Sequence, residues 1–578
     1  MVSEPPSRRI SPDRLSSGRL SASRLTSRSL RSRAADLLGV AWPAFAAALT
    51  SLAVYVPTLM PDIGFWDTAE FQAIGPVLGI AHPTGYPSYT LLAWLASVLL
   101  QPLGTEAFRA NLLNALLMAS AAGLLALAVT LLTRRRSLAL AAGLLLGLAP
   151  TVWANAVRAD AHALHLALVA LLVVVLLVWA DRQRRGDARA GRWLVVSAVI
   201  YGVALGNHAL TLLLAPGIAA YLLLVEPGLL RRWRLVLGCV AALVLTTVAL
   251  YLYLPLRSAM DPLLDYADPQ AWVHLDAAGN VIGGFRYLVL GEQFRGTFSP
   301  LPSLTDGIGI IWHQMWLELG PIAVLSLGGV AVAALRWPRE LALLGLWFVV
   351  TWVFALGYQN ASIERYYLVP LLVAVVFAAM LATFALEMLE RFAERRREDC
   401  PVERRLPRGV AIRAALLRWM VPGLAALALV AHALISFPAT YERVDASHDR
   451  DARVWLNATF QALAPDAVII SWWSYSTPMW YGQYVEGLRP DVLVMDDRTI
   501  LDAGLVDVHG AIERYLGERP VYLIRLPRDI EAIASRHRLS LVQGLRGGDV
   551  WRVMPAEVGY DRVVSNDRGT VSARPLRP

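Results

Sequence analysis

Long apolar runs broken by short arginine-rich clusters dominate residues 37 to 436. Runs near 37–60, 109–132, 137–154, 161–180, 193–206, 209–225, 234–256, 309–335, 341–357, 366–390 and 412–436 make eleven candidate spans. Several approach the ~20 residues a bilayer requires and others are shorter. A twelfth run, 88–103, is short and bracketed by Pro87 and Pro102. The positive-inside rule places "TRRRS", "DRQRRGDARAGR", "LLRRWR", "LRWPRE" and "ERRREDCPVERRLPRGVAIR" on the side of the basic N-terminus, which works only if 88–103 does not cross. That run is therefore predicted as a re-entrant or juxtamembrane helix on the outer face, its ends covered by protein. The stretch after the first span, the loop 257–306, the "QNASIER" loop and the C-terminus then lie outside the cytoplasm.

Residues 1–34 are rich in Ser and Arg with no continuous apolar face, which predicts a disordered cytoplasmic tail. Residues 35–438 form the predicted membrane domain. Between 439 and 556 the pattern changes to short β-branched runs, "AVII", "DVLVMD", "PVYLIRL" and "DVWRVM", separated by helical pieces. This predicts a small extracytoplasmic α/β domain, followed by a flexible tail over 557–578. The fold class is thus a mainly α-helical polytopic membrane protein, with about eleven spanning helices and a C-terminal α/β domain.

Composition sharpens this picture. With 578 residues, 56% hydrophobic and 17% charged, the chain is too apolar for a soluble enzyme, and its net charge of +8 is read as membrane-facing basic loops rather than nucleic-acid binding. All 53 Lys+Arg cations are arginine, which removes P-loop and Schiff-base chemistry. Cys239 and Cys400 stand in an apolar run and a basic loop and offer neither a disulfide framework nor a thiolate metal site.

Candidate chemistry gathers on the predicted outer side. Asp67 and Glu70 share a helix face at i, i+3, although Asp-Thr-Ala-Glu before an apolar run also reads as a capping box. Carboxylates beside a membrane span are costly unless paired or functional. His82 sits in a compact turn with Pro83, Gly85, Tyr86 and Pro87. Arg158, Asp160, His162 and His165 stand at the mouth of two spans, Asn207 and His208 at the next turn, Arg257 at a span end, and Glu364 and Arg365 at a span start. Each alone is explained by an interfacial or helix-end role; their agreement on one side points to a cleft for a lipid-borne phosphate. His162 and His165 of "HALH", with Asp160 nearby, do not form an H-E-x-x-H pattern and have no cysteine ligand near, so no metal is expected. Asp496 and Asp497 in "VMDDR" read as a strand-end loop. A transporter is the alternative reading, disfavoured because no inverted repeat is visible.

The segments "DTAEF" and "LGIAHPTGYPSYTLL" resemble the signature of the protein O-mannosyltransferase-like family of GT-C membrane glycosyltransferases. "WANAVRADAHAL", "LGNHAL", "YLPLRS", "ERYYLVP" and "PMWYGQYVEGLRPDV" are similar to further stretches of that family, spread between about residues 57 and 500. Here Ala69 replaces a glycine between the acids, Asp160 a glutamate and His162 a tyrosine. The resemblance implies a catalytic carboxylate in the first outer loop, a polyprenyl-phosphate sugar as donor, a protein or glycan hydroxyl as acceptor, and no separate cofactor. On that basis Asp67 is expected as base with Glu70 assisting, and His82, Tyr86, Arg158, Asp160, His208, Arg257, Glu364 and Arg365 as substrate-binding residues, in a multi-pass protein of the plasma membrane.

Overall fold

The computed structural model describes residues 39–276, 278–398, 408–544, 548–555 and 570–571. The tail predicted over 1–34, Cys400 and most of 557–578 lie outside the described residues. All eleven apolar runs are helical, as their hydropathy and length require. Seven helices are long and apolar enough to cross a membrane, or nine if each of two bent pairs counts as one span, among the described residues. Ala190–Leu205 and Ala209–Val225 are shorter. The run 309–335, expected as one span, is two helices, Leu304–Leu319 and Ile322–Arg336, meeting at 112°. Gly320 takes φ +53 at the break and Pro321 brings no N–H to continue the first helix. Arg136–Gly147 and Pro150–Ala156 meet at 65°, again with proline opening the second piece.

Helix pairs pack through small residues, because lipid gives apolar side chains no reason to associate and close backbone contact must do so instead. A Cβ on Gly143 would meet the Ala122 carbonyl and Ala47 Cβ, each at 2.8 Å, and one on Gly329 would collide with the Phe377 backbone. Trp153, Trp179, Trp347 and Trp352 fill the wider layers, each under 2% exposed.

The arginine clusters collect at one end of the bundle. Arg135 pairs with Glu390 at 2.5 Å and Arg336 with Glu387, while Arg136 packs on Gly39 at the start of the first helix. Gln183 donates to Glu226, and Arg232 to Gln183. The helix Pro87–Leu99 is about 20 Å long, short of a ~30 Å hydrocarbon core. Chain on both sides of it meets the C-terminal domain: the Trp66 N–H donates to the Ser474 carbonyl, and the Ala107 N–H to the Tyr481 hydroxyl at 3.0 Å. The segment from 62 to 107 is therefore an excursion at the end opposite the arginines.

The last bundle helix, Arg408–Val444, leads into the α/β domain. Among the described residues there are eight strands: β1 (His274–Leu275) and β2 (Val281–Gly283) form a hairpin in the 257–306 loop, and the domain itself holds β3 (Val468–Ser471), β4 (Leu493–Met495), β5 (Val521–Ile524), β6 (Arg538–Gln543), β7 (Val550–Met554) and β8 (Thr570–Val571). The order is β4-β3-β5-β7-β6-β8, with β3 parallel to β4 and β5, and β7 antiparallel to β5 and β6. Strands β3 and β5 are buried along their whole length, as expected for a parallel centre covered on both faces. One face, carrying Ile469, Val494 and Ile524, closes against Ile63, Ala73 and Ala107 of the membrane part, so the two parts share a core.

Gly329→Leu is expected to lower stability by on the order of 2 kcal/mol through overpacking against Phe377. Thermal melting of the detergent-solubilised protein checks this, and an unchanged midpoint would refute the close crossing.

Candidate active site

Asp67 is set by the residue before it. Trp66 holds φ 59 and ψ −143, a conformation unfavourable for any side chain larger than glycine. The C-terminal domain fixes it there: Thr477 Oγ1 donates to the Trp66 carbonyl at 2.8 Å, and Trp472 meets the Trp66 ring edge-on at 4.9 Å. Helix Asp67–Val77 starts without a side-chain cap, so the capping-box geometry is not formed. The Asp67 carboxylate instead accepts from Arg365, Nη1 and Nη2 each lying 3.2 Å from Oδ2. Oδ1 has only the Trp473 Nε1–H at 3.4 Å.

Arg365 also pairs with Asp160 Oδ2. Asp160 caps the helix Ala161–Arg184, its Oδ1 accepting from the His162 backbone N–H at 2.8 Å and meeting His162 Nδ1 at 2.7 Å. Burial alone would raise this carboxyl; Arg365 and His162 outweigh it and hold Asp160 far below the usual carboxylate range. One guanidinium thereby joins the first outer loop to the mouth of a helix about a hundred residues later.

Glu70 is 3% exposed and faces away from the cleft. It accepts from the His82 backbone N–H at 2.9 Å and meets His82 Nδ1. Glu70, expected to assist Asp67, has its carboxylate behind the histidine and off the cleft lining. His82 Nε2 lies 3.2 Å from the Tyr86 hydroxyl, and both side chains reach the cleft. Burial would depress the His82 imidazole, but the charge and hydrogen bond of Glu70, with Asp67 behind, push it up to about 9.

The cleft, about 1050 Å³, lies between the bundle and the α/β domain. It brings together Asp67, His82, Tyr86, Asp160, His208 and Arg365. Arg158 and Glu364, both exposed, stand on its wall with no ion pair among the described residues. Arg257, expected to bind substrate, is not among the cleft-lining residues: its guanidinium donates to the carbonyls of Val77 and Leu78, closing the end of helix Asp67–Val77. Residues the sequence did not assign also line the cleft: Trp473, whose ring meets His82 at 5.7 Å and Tyr266 at 5.6 Å, together with Tyr366 and Asp496. Asp496 forms a capping box with Thr499, and burial raises its carboxyl to about 6. No group of three potential metal ligands occurs among the described residues.

The raised His82 has a signed consequence. Its folded value lies above the ordinary 6.5, so its stabilisation is complete below about pH 6.5 and is lost as pH rises through about 9, on the order of 3 kcal/mol in all. Glu70→Gln should therefore destabilise strongly at pH 6 and progressively less toward pH 9.5. Melting curves across that range check it, and a loss independent of pH would refute the pairing.

Residues 67–228 match the model of the protein O-mannosyl-transferase TMEM260 N-terminal domain. The mouse (Mus musculus) protein O-mannosyl-transferase TMEM260 is 29% identical over 255 residues, which cover 43% of this chain and 33% of the mouse protein. The chain thus matches about a third of that relative's length. Crystal structures of ArnT from Cupriavidus metallidurans, one bound to undecaprenyl phosphate and one apo, are similar with TM-scores of 0.54 at 16% and 15% identity. They cover 89% of this chain and 98% and 97% of the ArnT chains. At that identity the likeness concerns the fold. The resemblance read from the segment after the first span is thereby shown: residues 67–228 match the protein O-mannosyl-transferase TMEM260 N-terminal domain, in a multi-pass membrane protein whose fold is similar to that of the ArnT structures.

Proposed function

We propose that the chain is a membrane glycosyltransferase that moves a sugar, mannose or another hexose, from a polyprenyl-phosphate carrier to an acceptor hydroxyl, with inversion. The observation that carries this reading is the Asp67 carboxylate, held by Arg365 at the floor of a cleft with its Oδ1 nearly free to accept a proton. The similarity of residues 67–228 to a domain named for protein O-mannosyl transfer supports the reaction class, and the ArnT structure bound to undecaprenyl phosphate supports the class of donor.

In this reading Asp67 removes the proton of the acceptor hydroxyl as its oxygen attacks the anomeric carbon. Arg365, shared between two carboxylates, orients the base. Arg158, the uncommitted cation on the wall, meets the donor phosphate together with His208. His82 and Tyr86, braced by Glu70, shape the acceptor side, and Trp473 offers a ring face edge to a sugar. The acceptor is a protein Ser or Thr or an envelope glycan. The positive-inside argument places the arginine end in the cytoplasm and the cleft on the outer face of the plasma membrane, where a lipid-linked donor enters from the bilayer. Polar groups gathered at one end of the bundle, rather than at its midplane, favour this reading over a transporter.

Asp67→Asn should cut transfer of label from radiolabelled polyprenyl-phosphate hexose into non-lipid envelope material by about 1000-fold, with the melting temperature kept. Full transfer by that variant would rule out the assignment, and a loss of solute flux without any sugar transfer would favour the transporter.

A further inference from the structure

His162 takes no part in the mechanism above, yet its side chain is only 7% exposed and lies on the cleft wall. Its Nε2 is buried without a hydrogen-bond partner among the described residues. Buried polar atoms are almost always paired in folded proteins, so an orphan in a substrate cleft marks a place for a ligand atom. Nδ1 is held by Asp160 at 2.7 Å, which fixes the ring and leaves Nε2 as its working atom. The neighbouring imidazoles are committed differently: His208 Nδ1 accepts from the Leu210 N–H at 3.2 Å, and His165 Nδ1 lies 3.4 Å from Thr211 Oγ1. The His208 ring, proposed to meet phosphate, sits 4.7 Å from that of His162.

Position in the polar chain gives the role. His162, Asp160, Arg365 and Asp67 follow one another, with the base at one end and the imidazole at the other. An inverting displacement has the same polarity, because nucleophile and leaving group lie on opposite sides of the anomeric carbon. We propose that His162 is a further catalytic residue, donating the proton on Nε2 to the departing phosphate while Asp160 supports the cationic ring. This rests on the glycosyl-transfer reading above. The acceptor oxygen forms its bond to the anomeric carbon and loses its proton to Asp67. The bond from that carbon to the phosphate oxygen breaks with its electron pair left on oxygen, which takes the proton from His162. Return of the Asp67 proton to His162 through solvent resets the site, so the sum is one proton moved from acceptor to lipid phosphate.

The test uses membranes containing the full chain, radiolabelled polyprenyl-phosphate mannose and the native envelope as acceptor, with Asp67→Asn run beside His162→Phe and His162→Gln. His162→Phe should lower kcat about 100-fold with the donor KM changed by less than about 3-fold, and His162→Gln, which donates a hydrogen bond but no proton, should fall between. Melting temperature reports folding separately, and if the Phe variant does not fold the Gln variant decides. A kcat within about 3-fold of the parent in a folded variant overturns the proposal, as does a rise confined to KM. If Asp67→Asn abolishes transfer while the His162 variants keep it, only the role of His162 falls. If the parent transfers no sugar, the functional reading fails and this one with it.

Discussion

The arrangement of the cleft depends on one guanidinium. Arg365 reaches Asp67 and Asp160 at once, and these three side chains come from the first outer loop, the cap of a buried helix and the turn that opens a late helix. Two carboxylates and one largely buried cation are tolerable only if the geometry holds, since desolvation of each ion costs several kcal/mol and is returned by close pairing alone. The remaining carboxylate demand is met by Asp160 accepting from His162 and the cap N–H, and by Glu70 taking His82. Of these carboxylate oxygens, Asp67 Oδ1 has the weakest partner, the Trp473 Nε1–H at 3.4 Å, and Asp67 borders the cleft.

The C-terminal domain is a second constraint on the same atom. It shares a core with the segment after the first span and the start of helix Glu106–Thr133 through Ile63, Ala73 and Ala107, and Arg453 ties Asp62 to Glu486 with contacts of 2.8 and 2.5 Å. These contacts keep Trp66 in a backbone conformation it would otherwise leave. Trp473 then closes the cleft over His82 and Asp67. The helix Trp473–Tyr484 serves mostly as an interface, with Ser474, Trp480 and Tyr481 buried, and among its aromatic rings Trp473 borders the cleft.

How much of this a sequence reveals follows from the range of each signal. The helices were legible because bilayer length and hydropathy act over twenty consecutive residues. The bend at Gly320–Pro321 was written in the dipeptide but masked by the apolar residues flanking it. Strands β3, β4, β5 and β7 announce themselves by β-branched runs, whereas β6, "RLSLVQ", carries arginine, serine and glutamine, buries only Leu539 and does not. In the site, sequence gave depth but not direction. Arg257 sits at the correct end of its helix yet turns to carbonyls of a neighbouring one, and Glu70 at i, i+3 from Asp67 points behind the cleft because the strained entry at Trp66 swings the first residue away. Trp473 lies 406 residues from the aspartate it meets, a separation no local pattern spans.

That separation orders events during synthesis. A growing chain inserts the first helix and its acidic loop hundreds of residues before the strand and helix that seat Trp66 have been made. Until the α/β domain has been made and has folded, the aspartate lacks both the backbone conformation imposed through Trp66 and its contact with Trp473.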